Sequence, residues 1–179
     1  MKKLIFDYAR KAKSCSYGGI RLKKNIVAIV IHNTSDDPNA HDTAKNNADY
    51  FATGNTRNAG AHIFIDRYGM SARSIPLNRT AWSVGNPKGA YKRGAYFSSV
   101  NNANSVSIEL CDIADQPISD DQRTTLLDVC RWIKKYCPNV RCVIRHYDVV
   151  QKNCPAYYIK HQKEWLRLQK DIMQAIGLM

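Results

Sequence analysis

Negative charge is scarce in this chain. Fifteen Asp and Glu stand against 27 Lys and Arg in 179 residues, a formal net charge of +12. That imbalance favours encounter with polyanions and says nothing about fold. Nucleic acid, anionic membrane and other anionic polymers all remain open on charge alone. Long hydrophobic runs are also missing. No apolar stretch approaches the ~20 residues that a membrane helix needs, which argues against membrane insertion. Met1-Lys2-Lys3-Leu4-Ile5-Phe6 starts like a signal peptide, but Asp7 and Arg10 interrupt it and no small-residue cleavage site follows. The expectation is synthesis in the cytoplasm without an export signal. There is no basic block with interleaved aromatics and no RNA-recognition signature, which counts against nucleic acid. Basic residues are spread along the chain, with small clusters at Arg21-Leu22-Lys23-Lys24 and Lys134-Lys135. Internal repeats, low-complexity segments and linkers are absent too, and the length suits one domain.

Six cysteines are present: Cys15, Cys111, Cys130, Cys137, Cys142 and Cys154. An even count is compatible with disulfides, but the missing signal favours free thiols. Cys130 and Cys137 fall on the apolar side of a helical pattern and read as core.

The elements follow from periodicity. Residues 26–31 form a continuous apolar run rich in β-branched residues, a strand buried on both faces near the centre of a sheet. Asp37-Pro38 supplies an N-cap and a first-turn proline for a helix carrying Ala44, Ala48 and Phe51 as far as about Thr53, with Gly54 as its stop. Residues 61–67 and 72–77 read as strands around a turn at Tyr68-Gly69. A long surface loop rich in Gly, Asn, Ser and Tyr spans 82–104. Residues 105–111 alternate, with Val106, Ile108 and Leu110 on one face and Ser105, Ser107 and Glu109 on the other. Ser119 and Gln122 have capping-box spacing for a helix carrying Leu126, Val129, Cys130, Ile133 and Cys137. A strand over 141–146 and a last helix with Trp165, Leu168 and Ile172 complete the order β-α-β-β-loop-β-α-β-α. Helices alternating with strands imply an α/β domain with a central mixed sheet flanked by helices on both faces.

Two histidines stand at strand ends, His32 and His146, and Cys154 follows eight residues after the second. Two imidazoles and a thiolate make a three-ligand zinc site with one open position. Water in that position has its pKa lowered to about 7 and can attack an amide carbonyl at neutral pH. Any one strand-end histidine is more often structural than a ligand, and a competing knuckle of Cys137, Cys142, His146 and Cys154 has spacings that fit no common finger. Glu109 sits within an otherwise neutral strand. It is either a solvent-facing residue on an edge strand or a general base facing a cleft. Lys152, two residues before Cys154, is either a surface lysine or a cation that stabilises an oxyanion.

These residues lie within motifs that resemble a known family. Ile29-Val30-Ile31-His32-Asn33-Thr34 is similar to the opening motif of the type 2 N-acetylmuramoyl-L-alanine amidases, which include phage endolysins and cell-wall amidases and are related to the peptidoglycan recognition proteins. Gly60-Ala61-His62-Ile63-Phe64-Ile65-Asp66 resembles the family's second strand. Ile75-Pro76-Leu77-Asn78-Arg79-Thr80-Ala81-Trp82-Ser83-Val84-Gly85 resembles the segment lining its substrate groove, and Asn104-Ser105-Val106-Ser107-Ile108-Glu109-Leu110 its catalytic-glutamate strand. Ile144-Arg145-His146-Tyr147-Asp148-Val149 and Lys152-Asn153-Cys154-Pro155 resemble its closing metal motifs. The likeness runs from about Asn25 to about Trp165, in the family's order.

The resemblance implies a Zn2+ site of His32, His146 and Cys154, an acid/base role for Glu109, and oxyanion support from Lys152. Members of the phage-lysozyme kind carry a catalytic tyrosine where this chain has Ala61, so the glutamate-using branch is the one matched. His62 is either a substrate contact or a core histidine. Trp82 either walls the groove or packs in the core. Asn104 either bonds the stem peptide or shapes the strand entry.

The expected function is hydrolysis of the bond between N-acetylmuramic acid and L-alanine of peptidoglycan, by a phage or prophage endolysin or an autolysin released through a holin-type pore or by lysis. Anionic teichoic polymers are an expected second partner. The rival is a non-catalytic peptidoglycan-binding module, but such relatives typically lose the cysteine ligand. The expected organisation is one catalytic domain over 1–179 with its core at about 25–172 and no added wall-binding domain; the sequence leaves the oligomeric state open, with a monomer as the default.

Overall fold

The computed structural model describes residues 6–37, 39–86 and 89–179. Six strands form a mixed sheet in the order β1-β5-β4-β7-β3-β8. They are β1 Tyr8–Ala9, β3 Ala28–Asn33, β4 Ile63–Ile65, β5 Ser71–Arg73, β7 Ser105–Leu110 and β8 Cys142–Arg145. β2 Tyr17–Ile20 and β6 Arg79–Ala81 pair separately as a two-stranded antiparallel sheet. The helices are α1 Thr43–Asp49, α2 Asp120–Tyr136, α3 His146–Val149, α4 Ala156–Lys160 and α5 Gln162–Ala175.

The β-branched run around Ile29 becomes β3, which runs parallel to both β7 and β8 and is buried along its apolar length. Parallel strands covered on both sides need such continuous apolar sequence. One sheet face carries Ile29, Ile31, Ile63, Ile65, Val106, Ile108, Leu110 and Val143. It packs against Leu126, Val129, Cys130 and Ile133 of α2 and Trp165, Leu168 and Ile172 of α5. Each such side chain, once buried, contributes about 1.5–3 kcal/mol. The other face is divided. Ala28, Val30 and Ile144 lie beneath Val84, Val100, Val149 and Val150, and Phe64 and Ala72 lie beneath Ala44 and Ala48 of α1. Helices therefore pack on both faces of the sheet.

Several local expectations shift. α1 begins at Thr43, with Asp42 preceding it in a left-handed conformation (φ 58°) and making no side-chain cap. Asp37 instead accepts the Asn39 N–H in a turn; Pro38 lies outside the described residues. The helix widens into a π-helical turn at Tyr50–Gly54 and ends where expected. Ser119 does cap α2, accepting the Gln122 N–H at 3.0 Å. The Gln122 side chain does not complete the box. It is buried and donates to the carbonyls of Ile65 and Cys111, tying α2 to the ends of β4 and β7. The second strand of the Tyr68-Gly69 hairpin is Ser71–Arg73, displaced from 72–77. β1 and β2 lie before the expected core start near residue 25 and pair with β5 and β6.

Candidate metal centre and catalytic site

Register assembles the site. In the parallel pairing of β3 with β7, His32 stands directly opposite Glu109. On the far side of β7, Phe64 of β4 is also opposite Glu109. β8 continues into α3, whose first residue is His146. Arg145 and Asp148 hold that turn: the Arg145 N–H and guanidinium both donate to the Asp148 carboxylate, at 2.8 Å each. The same guanidinium donates to the Tyr158 carbonyl and to Gln162, so α4 and α5 buttress the turn.

Cys154 is brought over the end of β3. Its Sγ accepts the Asn33 N–H at 3.4 Å, its carbonyl accepts the Tyr147 N–H, and Asn33 Oδ1 accepts the Ala156 N–H at 2.8 Å. Asn33 thus fixes both the thiol and the start of α4.

His32, His146 and Cys154 are buried, and one ligand-type atom from each lies within 4.8 Å of the others. Cys154 Sγ is 3.8 Å from His32 Nδ1, and the two imidazole centroids are 4.7 Å apart. Among the described residues no other trio of His, Cys, Asp or Glu converges in this way. Cys137 belongs instead to the apolar core against α2, which removes the alternative knuckle. Both ring nitrogens of His146, and Nε2 of His32, are buried without a hydrogen-bond partner. Buried polar atoms are rarely left so, because each costs about 1–3 kcal/mol. A cation satisfies this set: two imidazoles and a thiol suit zinc.

Burial holds the His32 imidazole well below its usual pKa and His146 down to about 3, with Lys152 adding to both. Burial likewise pushes the Cys154 thiol up to about 12. Neutral imidazoles are the form a metal binds, and a bound cation reverses the penalty on the thiolate.

Glu109 is on a central strand, not an edge, so the solvent-edge reading fails. Burial pushes its carboxyl up to about 7; the nearby Lys152 charge opposes this and Asp36 adds to it. A carboxyl poised near neutrality can both take and return a proton. Lys152 is itself exposed.

The expected groove residues divide. Trp82 is 37% exposed, and its ring lies on Gly18, where a Cβ would come within 2.6 Å of a ring carbon. His62 is fully buried and lines no open surface: Nδ1 accepts the Ser107 N–H, and Nε2 lies 2.8 Å from the Arg21 guanidinium and 3.1 Å from the Arg79 carbonyl. That placement matches the core reading. Both polar groups of Asn104 are engaged within its own loop, with the Asn101 N–H and the Ser99 carbonyl. It shapes the strand entry.

Arg21, Asn33, Asp36 and Arg145 escaped the sequence reading as site supports. Arg21 is buried and donates to the carbonyls of Leu77, Asn102 and Ser105. A single arginine within a basic cluster carries no sequence signal of burial. For Arg145 a signal exists, the i,i+3 spacing to Asp148 around a histidine. The 82–104 loop is pinned over the same turn, since the Gly94 and Tyr96 N–H groups donate to the Val149 and Asp148 carbonyls. A Cβ at Gly94 would lie 2.3 Å from the Asp148 oxygen, so the approach requires glycine.

The structure thus combines an α/β sheet with a buried two-histidine, one-cysteine cluster of metal-ligand type beside a carboxylate at its strand ends. The family model for N-acetylmuramoyl-L-alanine amidase matches residues 22–157, and the chain belongs to that family. It is 26% identical to the N-acetylmuramoyl-L-alanine amidase CwlL of Bacillus licheniformis, over 99% of this chain and 48% of that protein. It is 29% identical to the amidase BlyA of Bacillus subtilis (strain 168), over 86% of this chain and 42% of that protein. The chain thus spans about half the length of the curated relatives it matches. Its fold is similar to that of the PlyG catalytic domain (TM-score 0.71, 20% identity, 94% of each chain). PlyL is similarly related (TM-score 0.68, 20% identity, 94% of this chain and 97% of that one). No helix among the described residues is long and apolar enough to cross a membrane.

Proposed function

We propose that this chain is a zinc-dependent amidase that hydrolyses the amide joining N-acetylmuramic acid to L-alanine in peptidoglycan, as an endolysin or autolysin. The observation that carries the reading is the convergence of His32, His146 and Cys154, with unpartnered ring nitrogens, opposite Glu109. These three residues would hold the metal. When bound, zinc supplies Lewis-acid polarisation of a carbonyl and a water that is acidic near neutral pH.

The chain's own residues do the rest. Glu109 accepts the proton of the attacking water and returns it to the departing L-alanine amine. The C–N bond breaks, leaving a lactyl carboxylate on the sugar and a free stem peptide. The Lys152 ammonium, whose charge reaches both imidazoles, would stabilise the negative charge that grows on the carbonyl oxygen. Phe64 keeps water from one side of Glu109, and Trp82 forms a wall for sugar or peptide. Arg145, Asp148 and Asn33 hold the ligands in place. The +12 charge suits a substrate embedded in anionic teichoic polymer.

Digestion of purified Gram-positive peptidoglycan with product mass spectrometry tests the reading. Free stem peptides beginning with L-alanine, lost on chelation and restored by zinc, are expected. Intact wall after treatment with folded, zinc-loaded protein, across several wall types, overturns it.

A further inference from the structure

The positive charge is not evenly distributed. Residues 8–35 contain Arg10, Lys11, Lys13, Arg21, Lys23 and Lys24 and no acidic residue. Residues 67–108 contain Arg67, Arg73, Arg79, Lys88, Lys92 and Arg93 and again no acidic residue. The fold brings these two stretches together, because β2 pairs with β6. At their junction the Tyr17 ring carries two cations, Lys11 Nζ at 5.9 Å and the Arg79 guanidinium at 5.6 Å from its centroid. The next residue, Gly18, supports the Trp82 ring. Among the described residues, neither Lys11 nor Arg79 pairs with a carboxylate; the ion pairs lie elsewhere, as at Arg10–Asp49 and Arg123–Asp171.

The cluster also connects to the site. Ser83, beside Trp82, shares a 2.5 Å hydroxyl hydrogen bond with Ser107. Ser107 is two residues before Glu109 on the same face of β7, about 7 Å away. A chain lying over Lys11, Tyr17, Arg79 and Trp82 therefore runs towards the catalytic carboxylate.

We propose that Lys11, Tyr17, Arg79 and Trp82 form a docking platform for a phosphodiester-linked anionic polymer borne by the cell wall. The cations neutralise phosphates, and the aromatic faces take the apolar sides of the polyol or sugar units. This rests on the amidase reading for the choice of wall polymer over nucleic acid, because the platform leads to the groove assigned to peptidoglycan. A wall polymer and its glycan would be engaged together, so the two contacts reinforce each other.

The test reads binding without turnover. The 179-residue chain in a Glu109→Gln background is co-sedimented with Gram-positive walls, before and after their phosphate polymer is stripped with hydrofluoric acid. Lys11→Gln/Arg79→Gln is compared with Lys163→Gln/Lys170→Gln on α5, which removes the same charge from another element, and melting curves confirm that each is folded. Two phosphate contacts predict that, between about 50 and 200 mM salt, the parent loses roughly 7- to 12-fold more affinity for polymer-bearing walls than the platform variant does. The α5 variant should behave as the parent, and soluble poly(glycerol phosphate) should compete better than duplex DNA at equal phosphate. Equal binding to native and stripped walls, equal losses in both double variants, or stronger competition by DNA overturns the platform. Polymer-dependent binding, combined with a zinc-loaded protein retaining Glu109 that cuts no wall, would leave the platform standing and remove the amidase reading.

Discussion

Two sets of buried histidines sit in neighbouring parts of one sheet, and they differ in what their ring nitrogens meet. His62, two residues below the level of Glu109, has both nitrogens engaged, by Ser107, Arg21 and the Arg79 carbonyl. His146, at the mouth, has neither engaged, and His32 lacks a partner at Nε2. Burial depresses the pKa of all three. The pKa direction therefore does not separate a structural histidine from a ligand, whereas hydrogen-bond satisfaction does. The first region is stabilised by contacts already made, whereas the second keeps donor atoms free that a cation would complete.

The largest effect that would break this contrast lies at the mouth. Cys154→Ser or His146→Ala should remove tightly bound zinc and lower amidase turnover by at least about 100-fold, beyond what supporting residues cost. Circular dichroism of the metal-free variants should match the metal-free parent. Near-normal turnover by either variant would show that the cluster is structural.

Glu109→Gln sharpens the comparison by separating holding from reacting. Metal content should stay unchanged while turnover falls about 10²- to 10⁴-fold. Plasma mass spectrometry and product release on the same sample check both halves.

Arg145→Met probes the support. It leaves the Asp148 carboxylate without its guanidinium and removes bonds to Tyr158 and Gln162. Denaturant unfolding should show a loss of about 3–5 kcal/mol, the usual result of breaking a mostly buried pair.

The most gradual effect, spread over several pH units, belongs to His62. Its folded pKa, near 3, lies below the ordinary 6.5 because burial and then Arg21 oppose its charge. A depressed pKa means stability that is present above about 6.5 and lost as pH falls towards 3. The parent should lose up to ~1.4 kcal/mol per pH unit from this group across that window, and His62→Gln should show a correspondingly shallower slope in urea unfolding. Identical slopes would remove His62 as the cause.

Much of this was legible in the sequence for a physical reason. Chemistry at a strand end is announced by a polar residue that interrupts a buried run, as His32 does after Ile31 and Glu109 does before Leu110. Ser119 was legible as a cap because its side-chain bond is local. What was hidden depends on distant segments. Gln122 has the spacing of a capping box, yet Ile65 and Cys111 offer its amide two buried carbonyls, and tertiary structure wins. Tyr17-Gly18-Gly19-Ile20 has no alternation, so β2 shows only through its pairing with β6. Asp37-Pro38 looks like a helix start, but α1 begins at Thr43, whose hydroxyl donates to buried Asp112. His62 and His32 look alike as strand residues, and only their partners tell them apart.

Zinc stoichiometry across three proteins is the most direct test of that distinction. The parent, Cys154→Ser and His62→Gln are titrated with zinc under reducing conditions, and each result is corrected for the folded fraction. The account predicts about one tight site in the parent and in His62→Gln, and none in Cys154→Ser. Zinc bound equally by Cys154→Ser, or lost from folded His62→Gln, would contradict it.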